Sequence, residues 1–198
     1  MKNFLKINLP IIDIESDLNK LLSDNTISWE MNQIGINTTS VEPNNYKCNI
    51  GSLNYDWAKA YTVELENGGQ KLVAPERTVK LTDTDFTTLC TQFKNTSIET
   101  LYNILSENFT LGRVRFMKSM PHTCLSWHND NQIRLHFPIK TQEGCFMVVE
   151  NEILHLEQNN WYLANTKLKH TAFNGSSEER IHLVVNVLDD YDDIKENR

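Results

Sequence analysis

The chain has 198 residues, 39% of them hydrophobic and 9% aromatic, and carries 19 Lys+Arg against 26 Asp+Glu for a net charge of −7. That length and composition suit one folded domain with a sizeable core rather than a disordered chain, and the acidic balance excludes a general nucleic-acid binder. The first residues, MKNFLKINLPIIDIE, do not read as a signal peptide, and no apolar run approaches the 18 residues of a membrane span, so the expectation is a soluble cytoplasmic protein without nucleic-acid or membrane partners.

In chain order, the apolar run Leu9–Ile14 leads into ESDLNKLLS, residues 15–23, which predicts a short helix. Residues 25–80 are rich in Asn, Thr, Gly and Pro. Asn67-Gly68-Gly69 predicts a turn between short strands over 60–65 and 71–74. Phe86, Leu89, Cys90 and Phe93 recur at helical spacing and predict a helix over roughly 84–94. A second helix follows, with Thr96 and Glu99 as a capping box and Ile98, Leu101, Tyr102 and Leu105 as its apolar stripe.

From Gly112 the texture changes to eight short strands, over 112–118, 123–127, 132–139, 145–150, 153–156, 160–164, 168–173 and 180–188, which indicates an all-β sandwich or barrel. Two strands alternate cleanly. Ile133, Leu135, Phe137 and Ile139 share one face, with Arg134, His136 and Pro138 opposite. Ile181, Leu183, Val185 and Val187 likewise oppose Arg180, His182, Val184 and Asn186. The expected organisation is one compact chain: a mixed α/β region over 1–111, a β core over 112–188, and a solvated acidic tail over 189–198. The cysteines, Cys48, Cys90, Cys124 and Cys145, form no Cys-x-x-Cys pair and read as small core residues.

Charge divides unevenly along these regions. Residues 1–111 hold 14 acids and 9 bases, residues 112–188 hold 7 acids and 8 bases, and the tail holds 5 acids and 2 bases. Four of the six arginines, Arg113, Arg115, Arg134 and Arg180, lie in the middle stretch. Arginine's planar fork suits carboxylate or phosphate, so this concentration hints at anion recognition.

The sharpest local feature is Trp127-His128-Asn129-Asp130. His-x-Asp places an imidazole and a carboxylate where both can grip one metal. Six histidines and eleven aspartates predict about 0.33 such pairs by chance, so the pair alone is weak. His170 adds a third ligand about 40 residues on, with Arg180 ten residues beyond it. Two imidazoles and a carboxylate make the facial set that leaves open positions on Fe(II). Zinc is the alternative for these atoms, but a redox-inert tetrahedral site gives no reason for nearby arginines.

The stretches RVRFMKSMPHTCLSWHND, IRLHFPI, EGCF and NNWYLANTKLKHTAFNGSSEERIHLVVNV resemble the catalytic domain of the aspartyl/asparaginyl β-hydroxylase family, over about residues 112–188 and not over 1–100. The resemblance implies a double-stranded β-helix (jelly-roll, cupin-like) within an α+β, mainly β, chain, and a dioxygenase that uses Fe(II), 2-oxoglutarate and O2. It implies His128, Asp130 and His170 as catalytic metal ligands, Arg180 as anchor for the far carboxylate of 2-oxoglutarate, and Arg134 with His136 as a second contact to that cosubstrate. Arg113, Arg115 and Trp127 are the candidates for substrate. Where the family often has Pro-Gly this chain has Pro121-His122, and where it often has Gly before the Trp161 strand this chain has Asn159-Asn160. The implied reaction hydroxylates an amino-acid-like substrate, either a free amino acid such as proline or an Asp/Asn side chain in a peptide, releasing succinate and CO2. A non-catalytic cupin-like binding module is the rival reading.

Overall fold

The computed structural model describes residues 2–197. In chain order the elements are β1 (Phe4–Ile7), α1 (Glu15–Ser23), β2 (Gln33–Gly35), β3 (Asn37–Thr38), β4 (Tyr61–Glu64), β5 (Gln70–Val73), β6 (Thr88–Leu89) and α2 (Ser97–Asn108). Then come β7 (Leu111–Ser119), β8 (Thr123–Cys124), β9 (Ile133–Lys140), β10 (Cys145–Val149), β11 (Glu152–Leu154), β12 (Trp161–Ala164), β13 (His170–Asn174), β14 (Arg180–Val187) and α3 (Tyr191–Asn197).

Antiparallel pairing gathers most strands into two sheets, β1-β12-β9-β14-β7-β2 and β11-β10-β13-β8. Strand period then assigns every side chain to one of two layers. Ile133, Leu135, Phe137, Leu183, Val185 and Val187 leave the larger sheet on one side and join Ile14, just ahead of α1, and Leu18, Ile98, Leu101 and Leu105 of α1 and α2 in the main core. Each such fully buried aliphatic or aromatic side chain contributes about 1.5–3 kcal/mol. The opposite face looks toward the smaller sheet, where Phe4, Tyr162 and Ala164 pack on Met147, Val149 and Ala172. Two sheets enclosing a second core, with helices outside the larger one, form the double-stranded β-helix, mainly β architecture.

Residues outside 112–188 complete that architecture. β1 and β2 are the two edge strands of the larger sheet, with Phe4 opposite Ala164 and Gly35 opposite Arg115. The 61–73 hairpin forms as expected around its Asn67-Gly68 turn, Gly68 taking φ +78°.

Four expectations are corrected. The helix over 84–94 is absent. Two 3-10 turns, Asp83–Asp85 and Thr91–Phe93, flank β6, which pairs with β3 through Asn37–Leu89 and Thr38–Thr88. The two turns and the strand between them bury Phe86, Cys90 and Phe93 at nearly helical spacing, and β-branched Thr87 and Thr88 favour that strand. The reciprocal cap belongs to Thr82 and Asp85 rather than to Thr96 and Glu99. At α2, the Glu99 carboxylate instead accepts from the Asn95 N–H (2.7 Å), and Asp17 of α1 accepts from the Ser97 N–H (2.6 Å).

The acidic tail is helix α3, not a solvated end. Tyr191 and Ile194 are buried in the main core, and the Tyr191 hydroxyl donates to the Lys2 carbonyl (3.0 Å). Asp192 and Asp193 stand in its first turn, where the helix dipole favours acids. Finally, Cys124 is exposed while Cys48, Cys90 and Cys145 are buried; all four are free thiols.

Candidate metal and anion site

A departure from regular pairing builds the site. β8 pairs with β13 only through Cys124–Phe173 and Thr123–Asn174, after which the chain continues alongside it irregularly. The Leu125 N–H donates to the Ala172 carbonyl (2.9 Å), and His128 and His170 exchange backbone hydrogen bonds of 3.0 and 2.8 Å. The Asp130 N–H then donates to the Thr166 carbonyl (2.9 Å). Two segments about 40 residues apart thereby hold the two imidazoles side by side, with ring centroids 4.2 Å apart.

Both rings are oriented the same way. His128 Nδ1 lies 2.7 Å from the Ser126 carbonyl and His170 Nδ1 3.0 Å from the Leu168 carbonyl, so each Nδ1–H donates two residues back along its own chain. With Nδ1 donating, Nε2 is the ring atom left to offer a lone pair. His170 Nε2 and Asp130 Oδ2 face each other at 3.2 Å as two electron-pair donors, and neither buried atom has another partner. One ligand atom from each of His128, Asp130 and His170 lies within 4.8 Å of the others. Orphaned buried donors converging at that spacing fit a divalent metal ion.

Arg134 donates from Nη2 to Asp130 Oδ1 (2.7 Å), leaving Oδ2 pointed at the histidines. Burial raises the Asp130 carboxyl, but His170, Arg134 and His128 together outweigh it and hold it below the usual carboxylate value.

Next to these ligands the two sheets enclose a cavity of about 90 Å³, walled by Arg134, His136, His170, Arg180 and His182 among apolar Met117, Met147, Ala172 and Val184. Cavities that take drug-sized molecules run to about 300–1,000 Å³, so this one suits a ligand of few atoms. The inward faces of β9 and β14 interleave here, with Val184 opposite His136 and Asn186 opposite Arg134. The Arg180 side chain makes no hydrogen bond or ion pair with a described residue, and its partial burial lowers the guanidinium from the ordinary value. Burial, with Arg134 and Arg180 nearby, pulls His136 down to about 3, and neither of its ring nitrogens has a partner. Burial likewise pulls His182 well below its ordinary value, so both rings are neutral near pH 7.

The structure does not bring every candidate to this cavity. Arg113 is engaged elsewhere: Nε meets Asp83 Oδ1 at 3.1 Å and Nη1 donates to the carbonyls of Gly51 (2.9 Å) and Asn49 (3.3 Å). Asp83 also accepts from Asn186 Nδ2 (2.8 Å), so the pair ties the 49–51 loop to the larger sheet. Arg115 is buried outside the cavity wall, donating to Gln33 Oε1 (3.1 Å), with its Nε unpaired. Trp127, beside His128, is 51% exposed and lines no part of the cavity. The Arg113 side chain thus holds protein to protein, away from the cavity wall. Sequence reasoning missed the Asp83–Asn186 connection, whose members lie 103 positions apart.

The two departures from the family pattern prove local. His122 and Asn159 adopt φ +55° and +58°, the left-handed geometry that glycine would take at those turns.

The sequence model described as aspartyl/asparaginyl beta-hydroxylase matches residues 12–190, which includes most of the N-terminal region that the motifs alone leave out. No curated protein matches. Similar solved structures include an oxidoreductase of the 2OG-Fe(II) oxygenase family from Burkholderia pseudomallei, at 11% identity and TM-score 0.37, covering 64% of each chain. A predicted oxalate decarboxylase from Thermotoga maritima gives 11% identity and TM-score 0.36, over 66% of this chain and 92% of its own. A cupin domain from Bordetella pertussis gives 15% identity and TM-score 0.34, over 39% and 81%. With a family match running through nearly all of its length, over the strands that carry the His-Asp-His cluster and its arginines, this chain belongs to the aspartyl/asparaginyl β-hydroxylase family.

Proposed function

We propose that the protein is an Fe(II)- and 2-oxoglutarate-dependent hydroxylase acting on an amino-acid-like substrate, a free amino acid such as proline or an Asp/Asn side chain, with release of succinate and CO2. The observation that carries this reading is the convergence of His128, Asp130 and His170, two of whose ligand atoms are buried without a partner, beside a partly buried arginine whose side chain has no protein counter-ion. A metal site alone fits many chemistries. A metal site beside an unpaired guanidinium fits a ligand that chelates at one end and is anionic at the other.

His128 Nε2, Asp130 and His170 Nε2 would hold the iron. Arg180 would take the far carboxylate of 2-oxoglutarate, and His136 would contact the cosubstrate from β9. Iron and 2-oxoglutarate, when bound, supply the oxidising chemistry that O2 drives. The chain's own residues orient and insulate. The Ser126 and Leu168 carbonyls fix both histidine tautomers, Arg134 aims the Asp130 carboxylate, and Met117, Met147, Ala172 and Val184 keep the cavity dry. The neutral His136 ring offers a hydrogen bond without adding charge beside Arg134 and Arg180.

The test is incubation of the purified protein with Fe(II), 2-oxoglutarate and panels of free amino acids and of Asp- or Asn-containing peptides, followed by mass analysis. A +16 Da product formed in proportion to succinate supports the proposal and names the substrate; iron-loaded protein that forms neither product with any member overturns it.

A further inference from the structure

Buried histidines ordinarily tie a ring nitrogen to the protein, because an unsatisfied buried polar atom is costly. Buried His170 does so, with Nδ1 3.0 Å from a backbone carbonyl, as do the partly buried His128 and His155 at 2.7 Å each. His182, like His136 across from it, does not. It is 4% exposed, forms part of the cavity wall, and its Nε2 has no partner. It follows Arg180 by two residues on the inward face of β14 and meets His136 edge-on, with ring centroids 5.8 Å apart. Across the strands it stands opposite Met117 and Pro138, neither of which offers its ring a hydrogen-bonding side chain of matching character. An apolar residue would fill this place without an orphaned nitrogen. The arrangement is explained by a ligand that supplies the missing acceptor.

We propose that His182 is a cosubstrate-binding residue that donates from Nε2–H to the far carboxylate of the bound dicarboxylate, beside Arg180. This rests on the cosubstrate reading above. A carboxylate has about four acceptor positions, and one arginine fork fills two of them. In a cavity of about 90 Å³ there is little water to fill the rest. A neutral imidazole one strand period from Arg180 supplies a further donor without placing a second cation there. Because both donors are fixed to one strand, they also set the depth at which the carboxylate is accepted, and so the chain length between it and the metal.

The experiment is calorimetric binding to Mn(II)-loaded protein, comparing 2-oxoglutarate with oxalate, which reaches only the metal end. In His182→Leu, 2-oxoglutarate should bind about 10-fold or more weakly, while oxalate stays within about twofold of wild type. His182→Gln, which keeps an N–H donor, should recover most of the lost affinity. Unchanged 2-oxoglutarate affinity in His182→Leu, or equal losses for both ligands, would overturn the role of His182. Wild-type protein that binds oxalate but not 2-oxoglutarate would instead overturn the cosubstrate reading itself.

Discussion

Two arginines of the β core should respond to replacement in opposite ways. Arg113 has protein partners on every side: the buried Asp83 carboxylate at 3.1 Å and the carbonyls of Gly51 and Asn49. Arg113→Met removes these bonds and strands Asp83 without its cation. Breaking one half of a buried ion pair costs about 3–5 kcal/mol. For a chain of this size each kcal/mol moves Tm by about 2–4 °C, so Tm should fall by roughly 6–20 °C. Arg180→Met removes a partly buried cation whose side chain has no partner, so the ligand-free protein should melt at or above the wild-type temperature, while 2-oxoglutarate affinity collapses. Thermal unfolding of both variants, each with and without Mn(II) and 2-oxoglutarate, reads the two effects on one axis. A destabilised Arg180→Met protein that binds 2-oxoglutarate normally, beside a stable Arg113→Met protein that does not, would refute the assignment of roles.

Other outcomes follow from the same structure. Ile194→Ala should cost about 2–5 kcal/mol in chemical denaturation, because α3 is docked on the core; a change below about 0.5 kcal/mol would mean a solvated tail. His136 stays neutral down to about pH 3 in the folded chain but takes a proton near its ordinary 6.5 when unfolded. The unfolded state therefore binds more protons between these values, so stability falls as pH drops from 6.5 toward 3, by up to about 1.4 kcal/mol per unit from this group. Denaturation curves of His136→Phe at several pH values should show a correspondingly shallower slope. His170→Ala should abolish stoichiometric Mn(II) binding as read by electron paramagnetic resonance; retained binding would remove His170 from the site.

The β core was legible because strand alternation is a local signal. Ile133, Leu135, Phe137 and Ile139 reveal one face of β9, and the same period places Arg134 and His136 on the other. The His-x-Asp pair was readable for the same reason, two residues apart on one segment. What the sequence hides is partner choice across long separations. Asp83, just ahead of the segment with helical spacing, is committed to Arg113 and Asn186, and strand pairing with Asn37–Thr38 overrides the helix that Phe86, Cys90 and Phe93 suggest. Tyr191 and Ile194 are two apolar residues among acids, and only their burial against the core distinguishes a docked helix from a solvated end. His182 carried the right face but no visible role, because a role defined by an absent partner has no sequence signature.

The most direct test of the central claim is succinate formation from 2-oxoglutarate by purified protein under O2, measured with and without Fe(II) and compared with Arg180→Met at low cosubstrate concentration. The account predicts succinate only when iron and O2 are both present, with the variant recovering only at much higher 2-oxoglutarate. Succinate formed independently of iron, or an unchanged cosubstrate requirement in Arg180→Met, would contradict it.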